Sequence, residues 1–199
     1  MLTVYGDIMS GNCYKVKLLL ELLDLPYNWV HIDIVKRESR TPDFLAKNPN
    51  GRIPLLELNP GVFLPESNAI LHYLADSTVY LPQDKLCHAR VLQWMFFEQY
   101  SHEPFIATSR YWIKFLRQEE QYQEELEKKR GPGYAALDVM EQHLTLKPYF
   151  VGGHCTIADI ALYAYTHVAH EGGFSLSNYS AIREWLKRVE AQSGYVPMV

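Results

Sequence analysis

The first residues whose types and spacing suit a chemical role are Ser10, Asn12 and Cys13, which lie between a short apolar strand and an apolar helix. A helix begins with free backbone amides and the positive end of its dipole, and both favour an anion such as a thiolate. Ser10 stands where a Cys-x-x-Cys motif would have its attacking sulfur, so the chain cannot run a dithiol cycle by itself. Two interpretations of Ser10 stay open: its hydroxyl donates to the thiolate of a cosubstrate, or it only caps the helix. Cys13 is predicted to be a packed thiol rather than a nucleophile.

Two further segments carry groups that suit a peptide-like ligand. Pro54 follows Ile53 at the start of an apolar strand, where a proline is a candidate cis residue that exposes the amide and carbonyl before it. Glu66 and Ser67 place an acid directly before a helix cap. That pair offers a carboxylate for an ammonium group and helix amides for a carboxylate, so it suits an amino-acid head group.

The elements that must position these residues begin with a strand–helix–strand unit, whose strands are expected to be parallel. A short helix, an antiparallel hairpin and another helix follow, so the first third of the chain is predicted to be α/β. The predicted elements are a strand at Leu2–Gly6, a helix carrying Val16, Leu19, Leu20 and Leu23, a strand carrying Val30, Ile32 and Ile34, a short helix near Asp43–Ala46, strands at Leu55–Leu58 and Val62–Leu64 joined by a type II turn at Asn59-Pro60-Gly61, and a helix from its cap Ser67 to Asp76.

Beyond Thr78 the apolar positions keep helical spacing almost to the end of the chain. Residues 78–84 are predicted to be a linker, which divides the chain into an α/β domain at 1–78 and an all-helical domain at 85–199. The predicted landmarks are a helix from Leu86 to Glu120 divided at Pro104, a break at Gly131-Pro132-Gly133, a capping box at Thr156–Asp159, a helix end at Gly172-Gly173 and a last helix from Asn178 to Gln192.

Composition narrows the class of function. Nineteen Lys and Arg residues against 23 Asp and Glu residues give a net charge of −4, so no overall attraction to nucleic acid or an anionic membrane is expected. The apolar runs are too short to cross a bilayer and the N-terminus lacks a signal-peptide pattern, so a cytoplasmic location is expected. His167 and His170 have a chelating spacing but no third ligand, so no metal site is predicted.

Taken together, these segments resemble the glutathione transferase family, and the resemblance covers essentially the whole chain. The matching motifs are the Ser10 turn, the stretch from Pro42 to Pro54, the Glu66-Ser67 pair and the Thr156–Asp159 box. The resemblance implies a thioredoxin-like N-terminal domain and an all-helical C-terminal domain. It is to the serine-type, bacterial-looking branch (theta, beta or nu-like), and Tyr5 receives no catalytic role.

What the resemblance implies for the site is stated residue by residue. Ser10 would donate a hydrogen bond to the sulfur of glutathione, the cosubstrate. Ile53, before a cis Pro54, would pair its backbone with the cysteinyl residue, as an added strand does. Glu66 would meet the γ-glutamyl ammonium group, and Ser67 with the helix start would hold its carboxylate.

The resemblance also assigns two basic residues and marks one departure. Arg40 and Arg52 match positions near glutathione, and either would take the glycyl carboxylate. Ser39 stands where related loops often carry a histidine, so contacts from that loop are not assigned. Asp159 is implied to be a helix cap rather than a general base.

The second substrate is expected to be a small hydrophobic electrophile that meets the helical domain. The candidate wall residues are Met9, Tyr100, Phe105, Tyr111 and Phe115, with an ordinary core role as the alternative. Detoxification in the cytoplasm by a homodimer is the implied setting.

Three functions stay open. The first is transfer of the glutathione thiolate to an electrophile. The second keeps the site but changes the reaction to peroxide or disulfide reduction, isomerisation or dehalogenation, and Asn12 favours testing the reductase. The third is a non-catalytic interaction module, which the presence of Ser10, Glu66 and Ser67 argues against.

Overall fold

The computed structural model describes residues 1–198 and divides into two compact units. The first unit comprises Met1–Asp76 together with the C-terminal residues from Gln192 onward, and the second comprises Ser77–Ala191. An α/β unit is thus followed by a helical one, and the α/β plus all-helical fold class is confirmed.

The C-terminal residues differ from the sequence-based division, which placed 85–199 in one helical domain. The Tyr14 hydroxyl donates to the Val196 carbonyl at 2.8 Å and ties the end of the chain to the first unit. Gly194, at a φ of 84°, allows this close approach, because a Cβ there would lie 2.8 Å from the Glu21 carbonyl oxygen. Residue 199 lies outside the described residues.

The first unit is built on a mixed sheet. Its elements are β1 (Leu2–Gly6), α1 (Gly11–Leu22), β2 (Tyr27–His31), a 3-10 turn (Glu38–Arg40), α2 (Pro42–Lys47), β3 (Leu55–Asn59), β4 (Val62–Pro65) and α3 (Ser67–Ala75). Within residues 1–198 the sheet has the order β2-β1-β3-β4, with β1 and β2 parallel and the other pairs antiparallel. The buried sides of α1 and α3 pack together over it.

The second strand begins and ends earlier than the alternation of Val30, Ile32 and Ile34 predicts. The register pairs Gly6 with His31, and the ladder stops there because β1 ends. Val30 is 38% exposed because β2 is an edge strand. The hairpin prediction is confirmed, with Gly61 at a φ of 80° in its turn.

The second unit is helical. Its elements are α4 (Lys85–Phe97), a π-helical segment (Glu98–His102), α5 (Glu103–Arg110), a second π-helical segment (Tyr111–Phe115), α6 (Gln123–Leu146), α7 (Ile157–Thr166), a 3-10 turn (Ala169–Gly172) and α8 (Ser180–Glu190). The division near Pro104 is confirmed, because the π segment directly precedes it. Along residues 1–198, no helix combines the length and apolar character needed to cross a membrane.

Two predicted helix ends are wrong. α6 runs through the expected break at Gly131-Pro132-Gly133, because Pro132 lies on the exposed side, where water can satisfy the carbonyl that loses its partner. Gly133 faces inward, and a Cβ there would collide with the ring of Phe174. α7 ends at Thr166 rather than at Gly172-Gly173, where the chain forms a separate 3-10 turn.

Candidate active site

Three chain segments meet at one edge of the sheet in the first unit. The register pairs Tyr5 of β1 with Leu55 of β3, and Leu55 with Pro65 of β4. The loop that follows β1, the residues that precede β3 and the residues that follow β4 therefore emerge at the same edge. These segments carry Ser10, Ile53 and Glu66, so the topology brings together residues that are 56 positions apart in sequence.

Ser10 is the N-cap of α1. Its hydroxyl oxygen accepts from the Cys13 amide at 3.5 Å, and its own amide donates to the Asp7 carbonyl at 3.0 Å. A serine hydroxyl has one donor and two acceptor sites, so accepting from the Cys13 amide does not use its proton, which is also within hydrogen-bond reach of the Cys13 thiol. The two interpretations of Ser10 are therefore compatible.

Cys13 is a packed thiol, as the sequence predicts. It is fully buried, and a Cβ on Gly6 would lie 2.8 Å from its sulfur. Burial raises the pKa of the Cys13 thiol to about 12, against the lowering effect of the Ser10 hydrogen bond. Cys13 therefore stays protonated at neutral pH and is not the nucleophile.

Glu66 rather than Ser67 is the N-cap of α3, which corrects the sequence-based assignment. Glu66 has a φ of 73° and makes no side-chain capping bond. A non-glycine residue at positive φ is uncommon and destabilises the fold by roughly 1–3 kcal/mol. Residues strained in this way are concentrated at active sites and ligand sites. The exposed Glu66 carboxylate and the uncapped amides of α3 offer an anion and an anion-binding helix end side by side.

Ser67 and Asn68 link α3 to α1. The buried Ser67 hydroxyl donates to Oδ1 of Asn12 at 3.2 Å. The Lys15 ammonium donates to Oδ1 of Asn68 at 3.5 Å, and the Lys15 side chain is fully buried. Sequence reasoning missed Lys15 and Asn68. The available signal was the spacing, because Lys15 stands three and four residues before Leu18 and Leu19, on the apolar side of the predicted helix.

The loop before β3 is ordered by Asn48, a buried residue of the Pro42–Pro54 stretch to which the sequence analysis gave no role. Its Nδ2 donates to the Arg52 carbonyl at 2.8 Å, and its Oδ1 accepts from the Asn50 amide at 3.2 Å. The Ile53–Pro54 peptide bond is cis, as predicted. No hydrogen bond within residues 1–198 uses the Ile53 amide or carbonyl, so both can pair with an extended ligand.

Arg40 and Arg52 are both exposed and belong to neighbouring parts of this loop. Arg40 Nη1 donates to the Asn50 carbonyl at 3.0 Å. A Cβ on Gly51 would lie 2.7 Å from the same nitrogen and 2.9 Å from the Ser39 carbonyl oxygen. The structure therefore places the Arg40 guanidinium beside the residue that precedes Arg52.

Most of the chain matches the sequence models of one protein family. Residues 1–76 match the model described as glutathione S-transferase, N-terminal domain, and residues 88–193 match that of its C-terminal domain. The chain belongs to the glutathione S-transferase family.

Solved structures of this family share the fold over the whole chain. A glutathione S-transferase from Pseudomonas fluorescens is 55% identical, with a TM-score of 0.97 over 100% of this chain and 98% of that one. The glutathione transferase URE2P8 from Phanerochaete chrysosporium, solved with oxidised glutathione, is 25% identical, with a TM-score of 0.86 over 97% and 90% of the two chains. Among curated relatives, the disulfide-bond oxidoreductase YfcG of Escherichia coli is 28% identical over 92% of this chain and 87% of its own.

The candidate second-substrate residues of this glutathione transferase family member lie in both units. Met9 is half-buried in the loop after β1. In the second unit, Phe105 lies on α5, while Tyr111 and Phe115 belong to one π segment, with ring centroids 5.9 Å apart. Tyr100, in the other π segment, is 80% exposed. The apolar wall assigned to these residues stays a prediction.

His167 and His170, which have a metal-chelating spacing in the sequence, lie in different environments in the structure. His167 stacks on Tyr163 with ring centroids 4.6 Å apart, and its Nδ1 lies 2.9 Å from the Tyr163 carbonyl. Burial lowers the pKa of His167 to about 4. His170 is exposed. No cluster of three metal-ligating side chains occurs in the part of the chain that the structure describes.

Asp159 has the structural environment that the resemblance implies. Its carboxylate is fully buried and accepts from the Phe150 amide at 3.1 Å and from the Trp185 indole at 2.9 Å. The Thr156 amide and hydroxyl each donate to it at 2.9 Å. The Thr156 side chain in turn accepts from the Asp159 amide, which completes the predicted capping box. These donors fix Asp159 within the helical unit.

Proposed function

We propose that this chain is a serine-type glutathione transferase that ionises the thiol of glutathione and presents the thiolate to small hydrophobic electrophiles. One observation carries the proposal. A hydroxyl at a helix start, an unpaired backbone edge and an acid at an open helix start meet at one edge of the sheet. These groups match, in order, the thiol, the peptide backbone and the amino-acid head of glutathione.

The tripeptide would lie across the three segments. The Ser10 hydroxyl donates to the sulfur, and the Ile53 amide and carbonyl pair with the cysteinyl backbone beside Pro54. The Glu66 carboxylate binds the γ-glutamyl ammonium group, while Ser67 and the α3 amides hold its carboxylate. Arg40 or Arg52 binds the glycyl carboxylate.

The energies required are modest. A thiol with a pKa of about 8.5 is roughly 3% ionised at pH 7, and a shift of two units needs only ~2.7 kcal/mol. A hydroxyl hydrogen bond to a charged acceptor contributes ~1.5–3 kcal/mol, and a helix N-terminus adds ~0.3–1 kcal/mol. The Ser10 hydroxyl and the α1 amides are therefore sufficient for activation. The thiolate then attacks an electrophile held against an apolar wall that draws on Met9, Tyr100, Phe105, Tyr111 and Phe115.

A glutathione-dependent disulfide reductase is the second candidate. Asn12 lies two residues after Ser10 and its Oδ1 accepts from the Ser67 hydroxyl, so in this reaction its amide nitrogen would be a further donor to the sulfur. A relative 28% identical to this chain is named a disulfide-bond oxidoreductase, which adds weight. Cys13 is buried, so the attacking sulfur would be that of glutathione. Aryl halides and disulfides tested side by side distinguish the two reactions.

The decisive experiment is a glutathione titration near neutral pH, with thiolate ultraviolet absorbance and calorimetric heat followed on one sample. We expect saturable heat with a growing thiolate signal. Ser10→Ala is expected to keep most of the heat and lose the thiolate signal, while Ser10→Thr keeps both. Heat without thiolate in the wild type would leave a binding module, and no heat would refute glutathione binding altogether.

A homodimer in the cytoplasm completes the proposal. Two large apolar side chains of α4, Leu86 and Phe96, are 58% and 62% exposed. Exposed apolar side chains of this kind fit a subunit interface. Analytical ultracentrifugation at micromolar concentration is expected to show a dimer that Phe96→Glu weakens, and a wild-type monomer would contradict this part of the proposal.

A further inference from the structure

Two polar contacts join the starts of α1 and α3. The first runs from the Ser67 hydroxyl to Asn12 Oδ1 at 3.2 Å, and the second from the Lys15 ammonium to Asn68 Oδ1 at 3.5 Å. Asn12 and Lys15 are three residues apart on α1, so they project from neighbouring turns of the same helix face. Ser67 and Asn68 are the first two residues of α3. We refer to these two contacts as the α1–α3 bridge.

Lys15 is the unusual member of this bridge. Its side chain is fully buried, among residues of α1 that are mostly apolar. Burying an ammonium group costs several kcal/mol unless hydrogen bonds and charges compensate, and an apolar residue of similar volume often gives equal stability. A fully buried lysine at this position therefore suggests a role other than packing.

The place of Lys15 also connects the two ends of the proposed ligand. α1 begins at the serine that faces the thiol, and α3 begins at the acid that faces the glutamyl head. Burial raises the pKa of the Cys13 thiol, and the positive charge of Lys15 acts against that shift. Cys13 is one helical turn from Ser10, so the electrostatic effect of the Lys15 ammonium group reaches the start of α1. Lys15 thus lies close to the thiol end while its hydrogen bond holds the glutamyl end.

We propose that Lys15 and Asn68 are positioning residues that fix the distance between the thiol subsite at the start of α1 and the glutamyl subsite at the start of α3. This inference rests on the proposed function. Neither side chain touches glutathione in this scheme. A ligand that occupies both subsites needs the correct distance, whereas a ligand that occupies only the thiol end does not.

The test compares glutathione with cysteinylglycine, which lacks the γ-glutamyl group. Calorimetry gives the dissociation constant of each ligand for the wild type and for Lys15→Met, and Lys17→Met is the matched control two residues along the same helix. We expect Lys15→Met to weaken glutathione about tenfold, the size of a lost hydrogen bond to a charged group, and to change cysteinylglycine less than about twofold. Lys17→Met should leave both unchanged.

A purely structural role predicts a different result. Equal losses for both ligands, or no loss for either, would overturn the inference. If Lys15→Met does not fold, Asn68→Leu and Asn68→Asp replace it, because the aspartate keeps an acceptor for Lys15 and the leucine does not. Asn68→Leu should then lose glutathione selectively while Asn68→Asp retains it, and equal affinities in the two variants would refute the bridge.

The proposed function fails separately. If wild-type protein does not bind glutathione, the site itself is wrong. If wild-type protein binds glutathione and Lys15→Met binds it equally well, the site stands and only the positioning role is lost.

Discussion

The starts of α7 and α3 solve the same problem in opposite ways. Both helices begin with backbone amides that lack helical partners. At α7, the Asp159 carboxylate accepts four donors and is fully buried. At α3, Glu66 makes no capping bond and is held at a positive φ. The start of α7, which we call the closed start, has its polar groups paired within the protein, and this pairing contributes stability. The start of α3, which we call the open start, has a strained backbone and amides without a capping side chain, so it can accept a ligand.

The largest effect on stability should come from removing the Asp159 carboxylate at the start of α7. Asp159→Ala leaves the Phe150 amide, the Trp185 indole and the Thr156 donors without an acceptor inside the protein. Each unsatisfied buried donor costs ~1–3 kcal/mol, so we expect a loss of at least roughly 3 kcal/mol of unfolding free energy in urea. Asp43→Ala, at an exposed position of α2, is the matched control and should stay within about 0.5 kcal/mol. A small loss for Asp159→Ala would remove the contrast between the two starts.

At the C-terminal end of α7, His167 is expected to make the free energy of unfolding depend on pH. Burial lowers the pKa of His167 to about 4 from 6.5, so the unfolded chain takes up a proton before the folded one. The stability that neutral His167 supports is complete above about pH 6.5 and is lost as the pH falls toward 4. The shift corresponds to about 3 kcal/mol.

Urea unfolding at pH 7 and pH 4 measures this dependence. Carboxylates titrate over the same range, so the informative quantity is the difference between the wild type and His167→Phe. The phenylalanine keeps the stacking on Tyr163 and removes the titrating group, and it should flatten the profile. His170→Gln, at an exposed histidine, should keep the wild-type profile. An unchanged profile in His167→Phe would show that other groups cause the acid sensitivity.

A matched pair of hydroxyl deletions tests the contrast most directly. Thr156→Ala removes a donor to Asp159 and is expected to cost about 1–2 kcal/mol of stability, with glutathione binding unchanged. Ser67→Ala removes the bond to Asn12 and is expected to weaken glutathione binding about tenfold, with a stability loss of only ~0.5–1 kcal/mol. Calorimetry and urea unfolding on both variants give the four numbers. If the two variants changed stability and glutathione affinity equally, the two helix starts would not differ in their roles in stability and binding.

The sequence predicted the closed start better than the open one, for a physical reason. A capping box is local, so Thr156 and Asp159 identify it from adjacent positions. The bridge from Lys15 to Asn68 spans 53 positions and depends on how α1 and α3 pack, which no local pattern contains. Glu66 was assigned to the ligand, but its role as the N-cap was given to Ser67, because a glutamate at positive φ contradicts ordinary preference. The break predicted at Gly131-Pro132-Gly133 is wrong for a similar reason, since the helix tolerates Pro132 because that residue is exposed, and exposure depends on how α6 packs.

The smallest expected effect concerns the backbone at the open start. Glu66→Gly removes the penalty of a positive φ, and after the extra entropy of glycine in the unfolded chain we expect a net gain of about 1 kcal/mol in unfolding free energy. Glutathione binding should weaken, because the carboxylate proposed to meet the ammonium group is gone. Glu66→Gln is the control: it loses the charge but keeps the side chain, so binding should fall without the gain in stability. A loss of stability in Glu66→Gly would mean that this helix start is not strained, and the open start would then differ from α7 only in its missing cap.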